Sequence, residues 1–370
     1  MKSLYITLTL IFVVITFAIS QEVKKEEVAK PIPEPKEFVT AHQGTFGGKL
    51  IKYKAIAGET YLKDKDGEPV ASIWSVTYKL DGVENTNRPV TFIFNGGPGS
   101  ASVWLHLGLF GPQITKVNSD AAEDDGGAPY PLINNTHGML DLTDLVFIDP
   151  VGTGYSRVIG KGKETDYWGL NEDASSIATF MRAWVTKYKR WNSPKYIAGE
   201  SFGTTRAAAV TYELEGGGQA MALNGLILIS QALDYQGSTS EHDNIVSYVT
   251  YFPSMAATAW YHKALPEPLQ SQSLADVVQQ ARTFAEGEYA TALMKGDALS
   301  AATIADITTK VKGLTGLSDS YVTATRLRPV IYRYCQELLR TRGLVIGRFD
   351  SRYTGPITEP LSEYMERDPS

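Results

Sequence analysis

Lys195-Tyr-Ile-Ala-Gly-Glu-Ser-Phe-Gly-Thr-Thr-Arg-Ala-Ala-Ala-Val210 is the stretch that decides the fold. It opens on a short run of strand length, turns through Gly199-Glu-Ser-Phe-Gly203, and continues into helix formers up to Leu214. Strand, glycine-flanked turn and helix in that order make a G-x-S-x-G nucleophile elbow. Gly199 and Gly203 leave room for the turn, so that Ser201 takes a strained conformation and points out of the sheet. Alone, a G-x-S-x-G is a weak signal, because a serine at a helix start also serves as an N-cap. The placement between strand and helix is what gives it weight.

Outward from the elbow, the apolar run Val90–Phe94 ends in Asn95-Gly-Gly-Pro-Gly-Ser100. A serine hydroxyl attacks an acyl group only if a base takes its proton and something stabilises the oxyanion that forms. Two adjacent glycines before Pro98 let a backbone N–H approach the elbow with no Cβ in the way. Gly97 is the candidate for one oxyanion donor. The Phe202 N–H, at the start of the helix after the elbow, is the candidate for the other.

The remaining pattern places these turns in an α/β fold. Leu50–Ile56 and Ala71–Leu80, separated by Asp66-Gly67 and followed by Asp81-Gly82, read as two antiparallel strands leading into the central Val90–Phe94 strand. An apolar run at Leu145–Ile148, a helix, the elbow strand, a second helix and a run at Gly225–Ser230 then alternate, which predicts a mostly parallel sheet with helices on both faces. In the first of those helices Ile177, Phe180, Met181, Trp184, Val185 and Tyr188 keep helical spacing behind Asn171-Glu172-Asp173, which can cap it and complement its dipole. Beyond Ser230 the spacing of Leu274, Val277, Val278, Ala281 and Phe284 predicts a helical cap insertion over residues 236–348. That leaves residues 39–235 as the core and 349–370 as the start of a return to it.

The chain has 370 residues, 43% of them hydrophobic and 21% charged, enough for one large core with an insertion. A net charge of −6 offers no basic face for a phosphate backbone, and no nucleic-acid motif compensates. Lys2, the apolar run Leu4–Ile19 and Ala18-Ile-Ser20 have the layout of a secretory signal peptide over residues 1–20, so the mature chain is expected outside the cytoplasm or in a periplasm, with no membrane attachment after cleavage. Residues 21–38, with paired lysines and glutamates and then prolines, read as a disordered tether. The single cysteine, Cys335, forms no intramolecular disulfide and reads as a buried apolar residue of a helix around Tyr332–Leu339.

Four motifs together resemble the serine carboxypeptidases, a family of the α/β-hydrolase superfamily. They are Phe94-Asn-Gly-Gly-Pro-Gly-Ser-Ala-Ser102, Gly108-Leu-Phe-Gly-Pro112, Phe147-Ile-Asp-Pro-Val-Gly-Thr-Gly-Tyr-Ser156 and Gly199-Glu-Ser-Phe-Gly203. The resemblance covers about Lys49 to Arg352 and weakens in the cap. It implies that Ser201 is the nucleophile, that Gly97 and Phe202 give oxyanion-hole N–H groups, and that Asn95 and Glu200, with Gly96, bind the free carboxylate of a peptide or protein C-terminus. A carboxylate beside Glu200 must share a proton with it to bind well, so recognition is expected to favour acid pH. Where many members carry tryptophan near Asn95 and a glycine pair closing the elbow, this chain has Ile93-Phe94 and Thr204. One cysteine in place of the several disulfides of secreted plant and fungal members resembles a bacterial branch.

In that family the Asp and His of the triad come from strands after the cap, which would lie beyond Ser370, make the sequence a fragment lacking its last strands, and leave the chain as it stands expected to be inactive. Within the chain, Asp234 and then His262 preserve the order Ser, Asp, His, yet both histidines downstream of Ser201, His242 and His262, fall early in the cap. The bland reading, a polar residue on a cap helix, is the stronger one for His262. His42, His106 and His137 precede the elbow. No paired His or Cys has metal-ligand spacing, Gly152-Thr-Gly154 lacks the rest of a dinucleotide fingerprint, and Asp120–Asp125 lacks an EF-hand pattern, so neither metal nor cofactor is expected. Two other functions fit the same elbow: an acyltransferase or esterase, and a non-catalytic protein that keeps the carboxylate pocket.

Overall fold

A computed structural model describes residues 32–82, 86–118, 120–121 and 127–370. The segment read as a signal peptide, the tether up to residue 31 and most of the Asp120–Asp125 loop lie outside these residues.

Eight strands form one sheet in the order β1-β2-β3-β7-β4-β9-β10, with β8 (Arg157–Val158) pairing β3, while β5 (Gln113–Thr115) and β6 (Leu132–Asn134) pair apart from it. Strands β1 (Glu37–Phe46), β2 (Lys49–Lys63) and β3 (Pro69–Leu80) form an antiparallel meander. It joins the centre where β3 pairs antiparallel with β7 (Asp144–Ile148). From there the sheet is parallel: β7, β4 (Val90–Phe94), β9 (Lys195–Glu200) and β10 (Gly225–Ile229) all run the same way. The β4 and β7 strands are buried at every position, as continuous apolar runs covered on both faces must be. The register Phe94↔Gly199 sets the end of β4 against the start of the elbow.

One expectation changes here. The tether ends earlier than residue 38, because Glu37 and Phe38 already pair with Gly58 and Ala57 in β1, and Tyr61 donates its hydroxyl hydrogen bond to the Pro33 carbonyl at 2.9 Å. The β1 strand itself gives little sequence signal, since its side chains are almost all exposed and its partner supplies the hydrogen bonds.

Helices α2 (Leu170–Lys187) and α3 (Phe202–Glu215) cover one face. Ile177, Phe180, Met181, Trp184 and Val185 bury that stripe of α2 against Phe92, Val146 and Ile197. The Trp184 indole donates to the Thr77 hydroxyl at 3.0 Å and meets Phe92 edge-on at 5.4 Å. The N-cap of α2 is Gly169 with no side-chain cap, so the reading of Asn171-Glu172-Asp173 as a cap is corrected: Glu172 and Asp173 stand in the first turn, complementing the dipole. The other face is covered by a short helix, α1 (Val103–Leu105), its π-helical continuation His106–Phe110, and Leu140.

After Ser230 the chain builds helices α4 (Ile245–Tyr261), α5 (Glu267–Gln270), α6 (Leu274–Phe284), α7 (Ala290–Lys295), α8 (Ala301–Thr315), α9 (Asp319–Ala324) and α10 (Ile331–Glu337). They close on their own apolar cluster, which holds Phe252, Val277, Tyr289, Val311 and the buried Cys335. Residues 349–370 do not turn back to the sheet as expected. Instead β11 (Leu344–Ile346) pairs with β12 (Thr354–Pro356), and the α10 region holds the tail beyond β12: Arg340 donates to the Pro360 and Ser362 carbonyls and Arg333 pairs with Glu363. Buried Ile346 joins the cap cluster and Met365 packs against it, which gives this tail its apolar reason to stay.

Candidate active site

Ser201 stands between β9 and α3 with φ 56° and ψ −126°. A non-glycine residue holds that conformation only where its surroundings over-determine it. Here they do: the Ser201 N–H donates to the Ile229 carbonyl at 2.9 Å, and the Thr204 N–H and hydroxyl both donate to the Ser201 carbonyl at 2.8 Å. Of the flanking glycines Gly199 is obligatory for a different reason, and Gly203 is tightly placed. A Cβ on Gly199 would lie 2.2 Å from the Gly203 carbonyl oxygen, and one on Gly203 would lie 3.0 Å from that of Phe94.

The loop after β4 seats directly on this turn. A Cβ on Gly96 would fall 2.4 Å from the Phe202 nitrogen and 2.6 Å from the Gly203 nitrogen, so only an α-carbon without a side chain fits there. Gly97 follows at φ +102° and is exposed. Among the described residues neither the Gly97 nor the Phe202 N–H has an acceptor, and the Ser201 hydroxyl has no hydrogen-bond partner. The loop is tied down at its far side: Ser102 donates both its N–H and its hydroxyl to Asp149 Oδ1 at 2.9 Å. Gly154 makes room for that carboxylate, since its Cβ would lie 2.0 Å from Asp149 Oδ2. The first and third sequence motifs therefore meet through Asp149.

Asn95 is fully buried, and each polar group of its side chain is used. Its Oδ1 accepts from the Leu105 N–H at 3.0 Å, and its Nδ2 donates to Glu200 Oε2 at 2.9 Å. Asn95, Gly96, Glu200, Ser201 and Phe202 are thus brought together. Beside them opens a cavity of about 390 Å³ whose walls include Pro98, Gly99, Val151, Trp168, Phe202 and Arg206. Ser201 itself lies outside its lining.

His262 is not in this group. Its Nε2 donates to the Ser351 carbonyl at 2.6 Å, binding the cap to its own tail. Asp234 accepts from the Gln236 N–H in a turn. His106 is partly buried, stacked 4.2 Å from the Phe147 ring, and desolvation pushes its imidazole down to about 4. Its Nε2 meets the Tyr78 hydroxyl at 2.7 Å, and burial raises that phenol, so the tyrosine donates and the neutral imidazole accepts. Among the described residues no three His, Cys, Asp or Glu side chains gather as metal ligands, and no helix is long and apolar enough to cross a membrane.

Reading the residues alone missed three participants. Thr204, noted only as a departure from a glycine pair, is fully buried and links the Ser201 carbonyl to the Ala232 N–H, which it accepts at 2.7 Å. Arg206 and Asp173 form a buried ion pair at 2.6 Å under the loop. Burial raises the Asp173 carboxyl, and the arginine opposes that rise.

A parallel centre with an elbow at the C-terminal end of β9 and an oxyanion loop at the end of β4 is an α/β-hydrolase-like arrangement. Among solved structures, Kex1(Δ)p, a prohormone-processing carboxypeptidase from Saccharomyces cerevisiae, shares 18% identity over 63% of this chain and 48% of its own, with a TM-score of 0.40. The peroxisomal α/β-hydrolase Lpx1 of the same yeast shares 12% over 52% of this chain and 43% of its own, with a TM-score of 0.27. A hyperthermophilic esterase from the archaeon Pyrobaculum calidifontis shares 16% over 60% and 51%, with a TM-score of 0.27. The chain spans about half the length of these structures. No curated protein sequence matches it. The sequence model of the serine carboxypeptidases matches residues 71–326, from the third strand through the elbow and into the cap, and the chain belongs to that family.

Proposed function

We propose that this chain belongs to a secreted serine-type carboxypeptidase that removes C-terminal residues from peptides, cleaving the C-terminal peptide bond through an acyl-enzyme on Ser201. The observation that supports it most is the Asn95 Nδ2 to Glu200 Oε2 hydrogen bond, 2.9 Å long and next to the strained Ser201. Glu200 placed this way can share one proton with the carboxylate of a peptide end while Asn95 holds the geometry. That recognition is charge-selective and favours acid pH.

In the reaction the Ser201 hydroxyl oxygen attacks the carbonyl carbon of the last peptide bond, and its proton leaves to the general base, the histidine that the family resemblance puts on a strand after the cap. The carbonyl oxygen becomes an oxyanion beside the N–H groups of Gly97 and Phe202, which have no other acceptor among the described residues. Collapse of the tetrahedral species breaks the C–N bond, the amine leaves with a proton, and water later frees the acyl group by the reverse sequence. The neighbouring cavity, whose walls mix apolar residues such as Val151 and Trp168 with Glu164, Asp173 and Arg206, accepts a substrate side chain. None of His42, His106 and His262 serves as the base in this reading, because each is hydrogen-bonded elsewhere.

The test compares an N-acylated dipeptide with its C-terminal amide and ester, from acid to neutral pH, together with labelling of Ser201 by a fluorophosphonate. Preference for the free carboxylate supports the peptidase reading. Equal turnover of the ester and amide sinks it in favour of an esterase or acyltransferase. Carboxylate-dependent binding without labelling makes the chain a carboxylate-binding relative.

A further inference from the structure

Arg206 is among the largest fully buried side chains, and neither the oxyanion hole nor the carboxylate pair uses it. It stands on α3 a turn and a half beyond Ser201, at a position facing three parts of the site. Its Nε donates to Asp173 Oδ2 at 2.6 Å, and its Nη1 donates to the backbone carbonyl of Asn95. The guanidinium also lies 5.4 Å from the Phe94 ring and 5.3 Å from the Phe202 ring.

We propose that Arg206, oriented by Asp173, is a positioning residue that fixes the Asn95–Gly97 loop against the elbow. The Asn95 carbonyl belongs to the peptide unit that leads into Gly96, so a donor held on it fixes the plane from which Gly96 and Gly97 continue. A charge-assisted hydrogen bond to a buried carbonyl is stronger than a neutral one and sets direction as well as distance. The Phe94 and Phe202 rings both meet the same guanidinium, so one side chain registers the end of β4 on the start of α3. Asp173 balances the charge, which would otherwise be buried alone.

A purely structural ion pair predicts something different. Lysine would satisfy Asp173 with its single ammonium group, whereas the forked contact to Asp173 and Asn95 needs Nε and Nη1 at once. Arg206 also borders the cavity of about 390 Å³, so removing its side chain leaves a hole that small solutes can reach.

Arg206→Ala and Arg206→Lys in the full chain separate the two. The first readout is amide hydrogen exchange at Ser100 and Leu105, whose N–H groups donate to the Gly96 carbonyl at 3.1 Å and to Asn95 Oδ1 at 3.0 Å. Both variants should exchange there about tenfold faster while Ile197 in β9 holds its protection. Millimolar guanidinium should restore Arg206→Ala, and urea, its neutral isostere, should not. The second readout is affinity for an N-acyl amino acid, expected to fall between about tenfold and a hundredfold in both variants. That second readout rests on the carboxylate reading of Asn95 and Glu200; the first does not. A wild-type chain that fails to tell the acid from its amide therefore refutes the proposed function and leaves loop exchange to judge Arg206. Unchanged exchange in Arg206→Ala, wild-type behaviour of Arg206→Lys, or equal rescue by urea overturns the positioning role. If Arg206→Ala loosens the whole sheet, Arg206→Lys, which keeps a charge beside Asp173, decides alone.

Discussion

Replacing Gly96 with alanine should separate the two halves of the site. Gly96 is not among the glycines with positive φ, and the cost is steric. The new methyl would lie 2.4 Å from the Phe202 nitrogen, 2.6 Å from that of Gly203 and 2.7 Å from the Glu200 carbonyl oxygen, all of them backbone atoms with no rotamer to escape into. Ordinary contact begins at 3.4 Å, so loop and elbow must part by about 1 Å. A misplacement of that size costs about a hundredfold in rate or specific binding, and an extra methyl in a packed site costs about 1–3 kcal/mol of stability. Urea unfolding measures the second quantity. Fluorophosphonate labelling of Ser201 and affinity for an N-acyl amino acid measure the first. Gly99→Ala is the control: its φ of +105° strains the backbone, but nothing lies within 4 Å of the added Cβ, so stability falls while the site stays assembled. A Gly96→Ala protein that unfolds, labels and binds like the wild type would mean that the loop does not rest on the elbow.

Wild-type affinity for a free carboxylate should fall up to about tenfold per pH unit as the shared proton is lost, and Glu200→Gln should flatten that slope; a slope that survives the substitution argues against Glu200. Asp144→Asn should cost about 3–5 kcal/mol in urea unfolding, because Asp144 is buried and pairs with both Arg88 and Arg190, while ligand affinity holds, since Asp144 begins β7 at the end of the sheet remote from the elbow. His106 binds its proton at about 4 when folded and near 6.5 when unfolded, so stability is full above about 6.5 and declines by about 2–3 kcal/mol as pH falls to about 4; His106→Gln should remove that decline in unfolding measured at both ends. His262→Ala should leave Ser201 labelling unchanged and loosen only the cap and its tail, and loss of labelling would give His262 a catalytic part after all.

Much of the site is legible in the sequence because glycine leaves a readable mark. Gly96, Gly199 and Gly203 each occupy a point where a Cβ would strike backbone, and such points cluster where two chain segments touch. The α2 helix is legible for its uninterrupted apolar stripe. The β1 strand is not, since an exposed edge strand owes its existence to its neighbour. The tail after β12 escapes a sequence reading for a similar reason: its direction is set by Arg333 and Arg340 in the α10 region, which no local pattern announces. Arg206 and Asp173 did leave a trace. Arg206 sits among the buried positions Gly203, Ala207, Val210 and Leu214 of α3, and Asp173 leads the buried stripe of α2. Two opposite charges, each on the apolar side of its own helix, are the signature of a buried pair.

The cap closes on its own apolar cluster, while the strands and helices that carry the elbow close on others. Mutations that reshape the insertion therefore draw on a separate reserve of stability, and need not loosen the turn at Ser201. Such a division lets selection retune what approaches the serine while the serine's own setting stays still.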